Sequence, residues 1–101
     1  MHSSVRAFLK AQAHSLKPIV MVGKGGFGEQ VVRALDEALS SHELVKVKFQ
    51  AHKDELGPIA ESLAERTKSD LVSIIGFIAT FYRASDEHLI RIPLELLAKK
   101  Q

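Results

Sequence analysis

The chain contains no cysteine. That excludes disulfide scaffolds, thiolate zinc sites and thiol catalysis, and it fits a reducing cytoplasm. No apolar run approaches the ~20 residues that a helical membrane span requires. The N-terminus lacks a compact apolar segment ahead of a small-residue cleavage site, so no secretory route is expected. Internal repeats, low-complexity tracts and linker-like stretches are also missing. The expectation is one domain over residues 1–93, followed by a tail at 94–101 that is either a last helix or disordered chain.

Acid is missing from one region. Arg6, Lys10, Lys17 and Lys24 stand in a segment whose first acidic residue is Glu29. That segment carries +4 and the remainder −2, leaving the chain at +2. A basic end on a near-neutral body points to an anionic partner docking there. A mitochondrial transit peptide is the other reading of an acid-poor start, but this segment runs directly into the periodic pattern that follows.

What is present is the composition of a folded domain: 46% hydrophobic and 26% charged residues over 101 positions. A chain of this size buries roughly 60–68% of its unfolded surface, enough to fold on one core without metal. Residues 4–16 have Val5, Leu9, Ala13 and Leu16 at helical spacing, with Pro18 as the stop. Ile19 to Val22 is a short apolar run that reads as a buried central strand. Residues 29–41 are helical, with Val31, Leu35, Ala38 and Leu39 on one side. Leu44 to Gln50 alternates: Val45, Val47 and Phe49 point one way, Lys46 and Lys48 the other, giving a strand with a wet, basic face. A third helix follows Asp54, striped by Leu56, Ile59, Ala60, Leu63 and Ala64. Leu71–Ile75 and Phe77–Tyr82 are strands, and Gly76 between them is a bulge or a hairpin turn. The result is an α/β domain of order α-β-α-β-α-β-β, with a mixed four-stranded sheet and helices.

Residues 23–28 read Gly-Lys-Gly-Gly-Phe-Gly between a strand and a helix. Glycine lets a ligand approach the backbone closely. A helix start presents unpaired N–H groups and a partial positive charge, and Lys24 adds a full one. Three readings of this loop stand side by side. One is the G-x-G-x-x-G dinucleotide fingerprint, which needs an acid at the end of the next strand; that strand ends in Gln50, Ala51, His52 and Lys53. The second is a G-x-x-G loop over Gly23, Lys24, Gly25 and Gly26, of the kind that clamps RNA backbone. The third is a tight turn that binds nothing.

Longer stretches narrow the choice. Leu16-Lys17-Pro18-Ile19-Val20-Met21-Val22-Gly23-Lys24-Gly25-Gly26, then His42-Glu43-Leu44-Val45-Lys46-Val47-Lys48, then Ile74-Ile75-Gly76 and Phe81-Tyr82-Arg83, resemble the YhbY family of bacterial RNA-binding proteins. This is the stand-alone form of the CRM domain, named for chloroplast RNA splicing and ribosome maturation. The resemblance implies a fold similar to the C-terminal domain of translation initiation factor three. It also implies RNA binding through the G-x-x-G loop, association with precursors of the large ribosomal subunit, and no catalytic activity. Gly28 departs from the family, whose members often carry a small hydroxyl residue there; glycine weakens the helix cap by a few tenths of a kcal/mol at most.

Around the loop residues Gly23, Lys24, Gly25 and Gly26, the candidate RNA contacts are Arg6, Lys10 and Lys17 on the first helical stripe, Arg33 on the second helix, and Lys46 and Lys48 on the second strand. Each of these basic groups also reads as an ordinary solvated face. Phe27 reads as a packing residue under the second helix ahead of a base-stacking one. Of Phe81 and Tyr82, one is expected to face outward. The five histidines form no metal-ligand pair, and no serine stands in a nucleophile setting. No enzyme, cofactor, metal or small-molecule substrate is expected; the chain is expected to act as a monomer. Basic residues outnumber candidate base readers, so RNA shape should dominate recognition. A protein-interaction domain on ribosomal particles and a nucleotide-binding protein are the alternatives.

Overall fold

The computed structural model describes residues 1–97. The elements are α1 (Ser3–Ala13), β1 (Val20–Val22), α2 (Glu29–His42), β2 (Leu44–Phe49), α3 (Leu56–Thr67), β3 (Asp70–Ile75), β4 (Ile78–Tyr82) and α4 (Leu94–Leu97), with a 3-10 turn at Lys53–Glu55 leading into α3. The expected α-β-α-β-α-β-β order is present. The tail begins with the single helical turn α4, and residues 98–101 of it lie outside the described residues.

The sheet order is β1-β2-β4-β3. β1 pairs with β2 in parallel, while β4 is antiparallel to both of its neighbours. β3 therefore runs in the same direction as β1 and β2, and the sheet is mixed. Gly76 and Phe77 form the turn of the β3–β4 hairpin; Gly76 takes φ +58, which glycine reaches without steric cost. A bulge between Leu71 and Ser73 leaves Val72 without a ladder partner.

Strand alternation divides the core into two layers. Val20, Val22, Val45, Val47, Phe49, Ala79 and Phe81 meet Leu35 and Leu39 of α2 and Ile59, Ala60 and Leu63 of α3 on one face. On the other face Val5, Leu9 and Ala13 of α1 cover Leu44, Val72 and Tyr82, and Ile90, Ile92 and Leu96 close over that cluster. Phe81 and Tyr82 are both buried, one in each layer. The expectation that one faces outward fails because helices cover both sheet faces at that end.

Two further expectations change. β1 is an edge strand, and Met21 at its centre is 44% exposed. A short apolar run does not reveal whether both faces are covered, and α1 leaves this one open. The first helix ends at Ala13, and Leu16 is exposed. The stretch between Ala13 and β1 is held by the Lys46 ammonium, which donates to the Leu16 carbonyl at 3.0 Å.

Arg83, just past the end of β4, ties the sheet to α2 and α3. Its guanidinium donates to the Asp36 carboxylate and the Thr67 carbonyl at 2.7 Å each, to the Asp36 carbonyl at 3.0 Å and to the Ser40 hydroxyl at 2.9 Å. Arg83→Met keeps the aliphatic stem and removes all four bonds. It should cost about 2 kcal/mol, the range for hydrogen bonds to charged groups, seen as a lower urea midpoint at unchanged m-value. An unchanged midpoint would make the clamp energetically silent.

Candidate nucleic-acid interface

The glycine loop leaves the sheet at the end of β1. One backbone bond shapes it, from the Gly26 amide to the Gly23 carbonyl at 3.1 Å. Gly26 takes φ +100, a conformation that side-chain-bearing residues rarely adopt. Gly25 keeps an ordinary φ, and a Cβ there would meet nothing within 4 Å. Gly28 is the N-cap of α2 and offers no side-chain cap. The first intrahelical bond runs from Val32 to the Gly28 carbonyl at 3.1 Å. Among the described residues none accepts a hydrogen bond from the amides of Glu29, Gln30 or Val31. They open onto a depression lined by Met21, Gly23, Gly25, Gly26 and Gly28. Lys24 is exposed and forms no ion pair among the described residues. Glu29 lies on the rim, but its carboxylate faces Arg66 at 3.2 Å.

The loop borders an open part of the sheet. Met21 pairs with Lys48, Lys48 with Ile78, and Ile78 with Ile75. This row crosses all four strands on the face that carries α1. Leu44 and Tyr82, four residue pairs away along β2 and β4, are buried beneath the helix, whereas Met21 and Ile75 are 44% and 67% exposed. The helix thus covers one end of the face, and the end nearest the glycine loop stays open.

The candidate residues separate accordingly. Gly23, Lys24, Gly25, Gly26 and Lys48 share the open end. Arg33, exposed, lies one turn into α2. Lys10 is exposed on the flank of α1 opposite Phe8, which packs against the α1-side core cluster. Arg6 shares that flank, but its guanidinium donates to the carbonyls of Leu71 and Val72 at 2.8 and 2.9 Å. It caps carbonyls at the bulge of edge strand β3. Lys46 is half-buried and bonded to Leu16, so the wet, basic face expected of β2 reduces to Lys48. Lys17 is exposed before β1, at the strand end opposite the glycine loop, beside Gln12, Ile19 and His42.

Phe27 joins neither core cluster. Its ring meets that of His52 in a T-shaped arrangement at 5.4 Å between centroids, and the residue remains 36% exposed. The expected packing under α2 is thus replaced by a contact across the top of the sheet. His52 takes φ +57, and its enclosed Nε2 finds no partner among the described residues.

The residue that sequence reasoning undervalued is Glu43. It enters that reading only as one member of the His42–Lys48 stretch, with no role of its own. In the structure it is fully buried at the end of α2, with φ +65. Its carboxylate accepts the amides of Ser85, Leu89 and Ile90 at 3.0, 3.1 and 2.9 Å and also the Ser85 hydroxyl. Burial pushes this carboxyl up. The Ser85 hydroxyl and the amides of Ile90, Leu89 and Ser85 overcome that and hold it at about 2, against an ordinary 4.5. No local pattern signals this, since its partners lie 42 to 47 residues away.

Comparison with known proteins agrees with the fold. The family model for the CRS1 / YhbY (CRM) domain matches residues 1–83. An RNA-binding protein of Haemophilus influenzae is 39% identical over 89 residues, covering 87% of this chain and 90% of the relative. The probable RNA-binding protein YqeI of Bacillus subtilis is 37% identical over 84 residues, 82% and 88% of the two chains. The solution structure of a Staphylococcus aureus protein superposes with a TM-score of 0.79 at 36% identity, covering 92% of this chain and 99% of that one. With sequence motifs, sheet order and relatives in accord, the chain belongs to the CRS1 / YhbY (CRM) domain family.

Proposed function

We propose that this chain binds RNA by seating the phosphate backbone on residues 23–28, and that its target is ribosomal RNA in precursors of the large ribosomal subunit. The observation that carries the reading is the set of free amides on Glu29, Gln30 and Val31, in a loop whose exposed Lys24 forms no ion pair among the described residues. Amides and a cation arranged in this way favour a polyanion over water. Relatives named as RNA-binding proteins support the choice of polyanion. The ribosomal target follows from the family resemblance drawn on the sequence motifs. The protein acts as a monomer in the cytoplasm, and binding is its whole task.

The path of the strand runs from the glycine loop across the open sheet row, with Lys48 inside the row and Lys10 at its helical margin. Arg33 flanks the loop. Arg6 and Lys46 serve the interface indirectly, through the backbone carbonyls they hold. The dinucleotide reading loses support at β2, which ends in Phe49 and Gln50 without an acid to take a ribose.

Lys24→Ala tests the electrostatic part. Removing one phosphate contact should flatten the slope of log K against log salt by about 0.7–0.9. A slope equal to that of the wild type would take Lys24 out of the interface. Crosslinking to cellular RNA, with sequencing of the bound fragments, tests the target: fragments should concentrate in large-subunit precursor RNA. A spread over messenger RNA would reject the ribosomal assignment.

A further inference from the structure

Three loops meet at the open end of the sheet. The Gln50 and Ala51 amides donate to the Val22 carbonyl at 2.9 and 3.2 Å, and the Phe49 amide to the Phe77 carbonyl at 2.8 Å. These bonds fix the hairpin turn, the β2–α3 connection and the glycine loop against one another. Phe77, read from sequence as the first residue of a strand, stands instead in the turn. Its residue is 50% exposed. The Lys53 ammonium lies 4.4 Å from the centroid of its ring.

We propose that Phe77, held by Lys53, is a stacking platform for a nucleobase, so the RNA engaged at this end is single-stranded. The inference rests on the RNA-binding reading and deepens it. Aromatic faces accept any base, and such contacts are typical of single-strand binding. In a duplex the base faces are already stacked on their neighbours and give the ring nothing to take. β1 and β4 are separated by one strand, so the platform stands on the order of 10 Å from the glycine loop at normal strand spacing. A strand seated on the loop reaches it along the end of the sheet, where the turn adjoins the open row.

Charge complementarity argues for a nucleic acid as the occupant of this apolar end. Lys48 lies between Met21 and Ile78 in the open row. Lys53 sits on the aromatic ring and makes no ion pair among the described residues, although Asp54 and Glu55 follow it in the chain. A cation beside a stacking ring places positive charge where the phosphates flanking a stacked base must run. An apolar protein partner would leave these ammonium groups to be desolvated without compensation.

The test uses the full chain, an unstructured RNA oligonucleotide and a duplex of matched length. The sequence has no tryptophan, so Phe77→Trp introduces one indole at the platform. Its emission should be quenched by the single strand and not by the duplex. Phe77→Leu should bind the single strand about tenfold to a hundredfold more weakly than wild type, with an unchanged salt slope and native circular dichroism. Wild-type affinity in Phe77→Leu without indole quenching, while Lys24→Ala still loses affinity, would overturn the platform and leave the loop reading standing. Equal quenching by the duplex would overturn it as well. Failure of the wild-type protein to bind either RNA would remove the RNA-binding reading and the platform together.

Discussion

Gly25→Asp is expected to lower RNA affinity by about two orders of magnitude and to leave the fold intact. Gly25 is exposed, has an ordinary φ and has open space where a Cβ would stand. The substitution therefore carries no steric penalty in the free protein. It places a carboxylate at the mouth of the depression into which the amides of Glu29, Gln30 and Val31 open. Like-charge juxtaposition in an interface costs several kcal/mol, or about a hundredfold at ~3 kcal/mol. Fluorescence anisotropy with a labelled oligonucleotide measures the loss, and far-ultraviolet circular dichroism checks the fold. Gly25→Ala supplies the scale: with bulk and no charge, it should weaken binding only a few-fold. The same change at Gly26 is a different experiment, because φ +100 imposes backbone strain on any side chain there. Gly25→Asp binding like wild type would show that the strand does not pass over this loop.

Glu43→Ala should be the most destabilising of these substitutions, by about 3 kcal/mol. It strands the amides of Ser85, Leu89 and Ile90 at the foot of a segment that Ile90, Ile92 and Leu96 pin against α1. Each buried donor left unpaired costs ~1–3 kcal/mol, reduced where the chain shifts to admit water. Glu43→Gln keeps the shape and one acceptor oxygen but loses the charge. It should cost about half as much, since charge-assisted bonds are roughly twice as strong as neutral ones. Urea unfolding at neutral pH measures both. A Glu43→Ala loss below ~1 kcal/mol would mean the segment is held by packing alone.

The same carboxylate makes stability depend on acid. Its folded-state value of about 2 lies below the ordinary 4.5. The folded state therefore binds this proton less readily than the unfolded state does. The stabilisation is fully present above about 4.5 and is lost as pH falls toward about 2. The gap in stability between wild type and Glu43→Gln should shrink over that window. A gap that stays constant would assign the effect to shape rather than charge.

Much of the fold was legible because local patterns report local physics. The stripe Leu35–Leu39 and the alternation Val45, Val47, Phe49 each fix an element and the face it buries. The glycine loop was legible for the same reason: its conformational need and its helix start are both local. The expectations that changed concern partners. Met21 looked buried because its neighbours are apolar, yet whether a helix covers both faces of β1 is decided by where α1 ends. Lys46 and Lys48 looked equivalent because they alternate in step, yet only Lys46 reaches the Leu16 carbonyl.

The amino-acid order by itself thus determined the α-β-α-β-α-β-β succession, the alternation of faces along β2 and the position of a glycine-rich turn at a helix start. These depend on interactions between residues a few positions apart, which recur with the periods of helix and strand. Tertiary structure alone decided which cations remain free for a polyanion and which carboxylate became a structural anchor. Arg6 finds its carbonyls 65 and 66 residues along the chain, and Glu43 finds its amides more than 40 residues along. A hydrogen bond needs its donor and acceptor within ~3 Å, and no period in a sequence encodes that proximity.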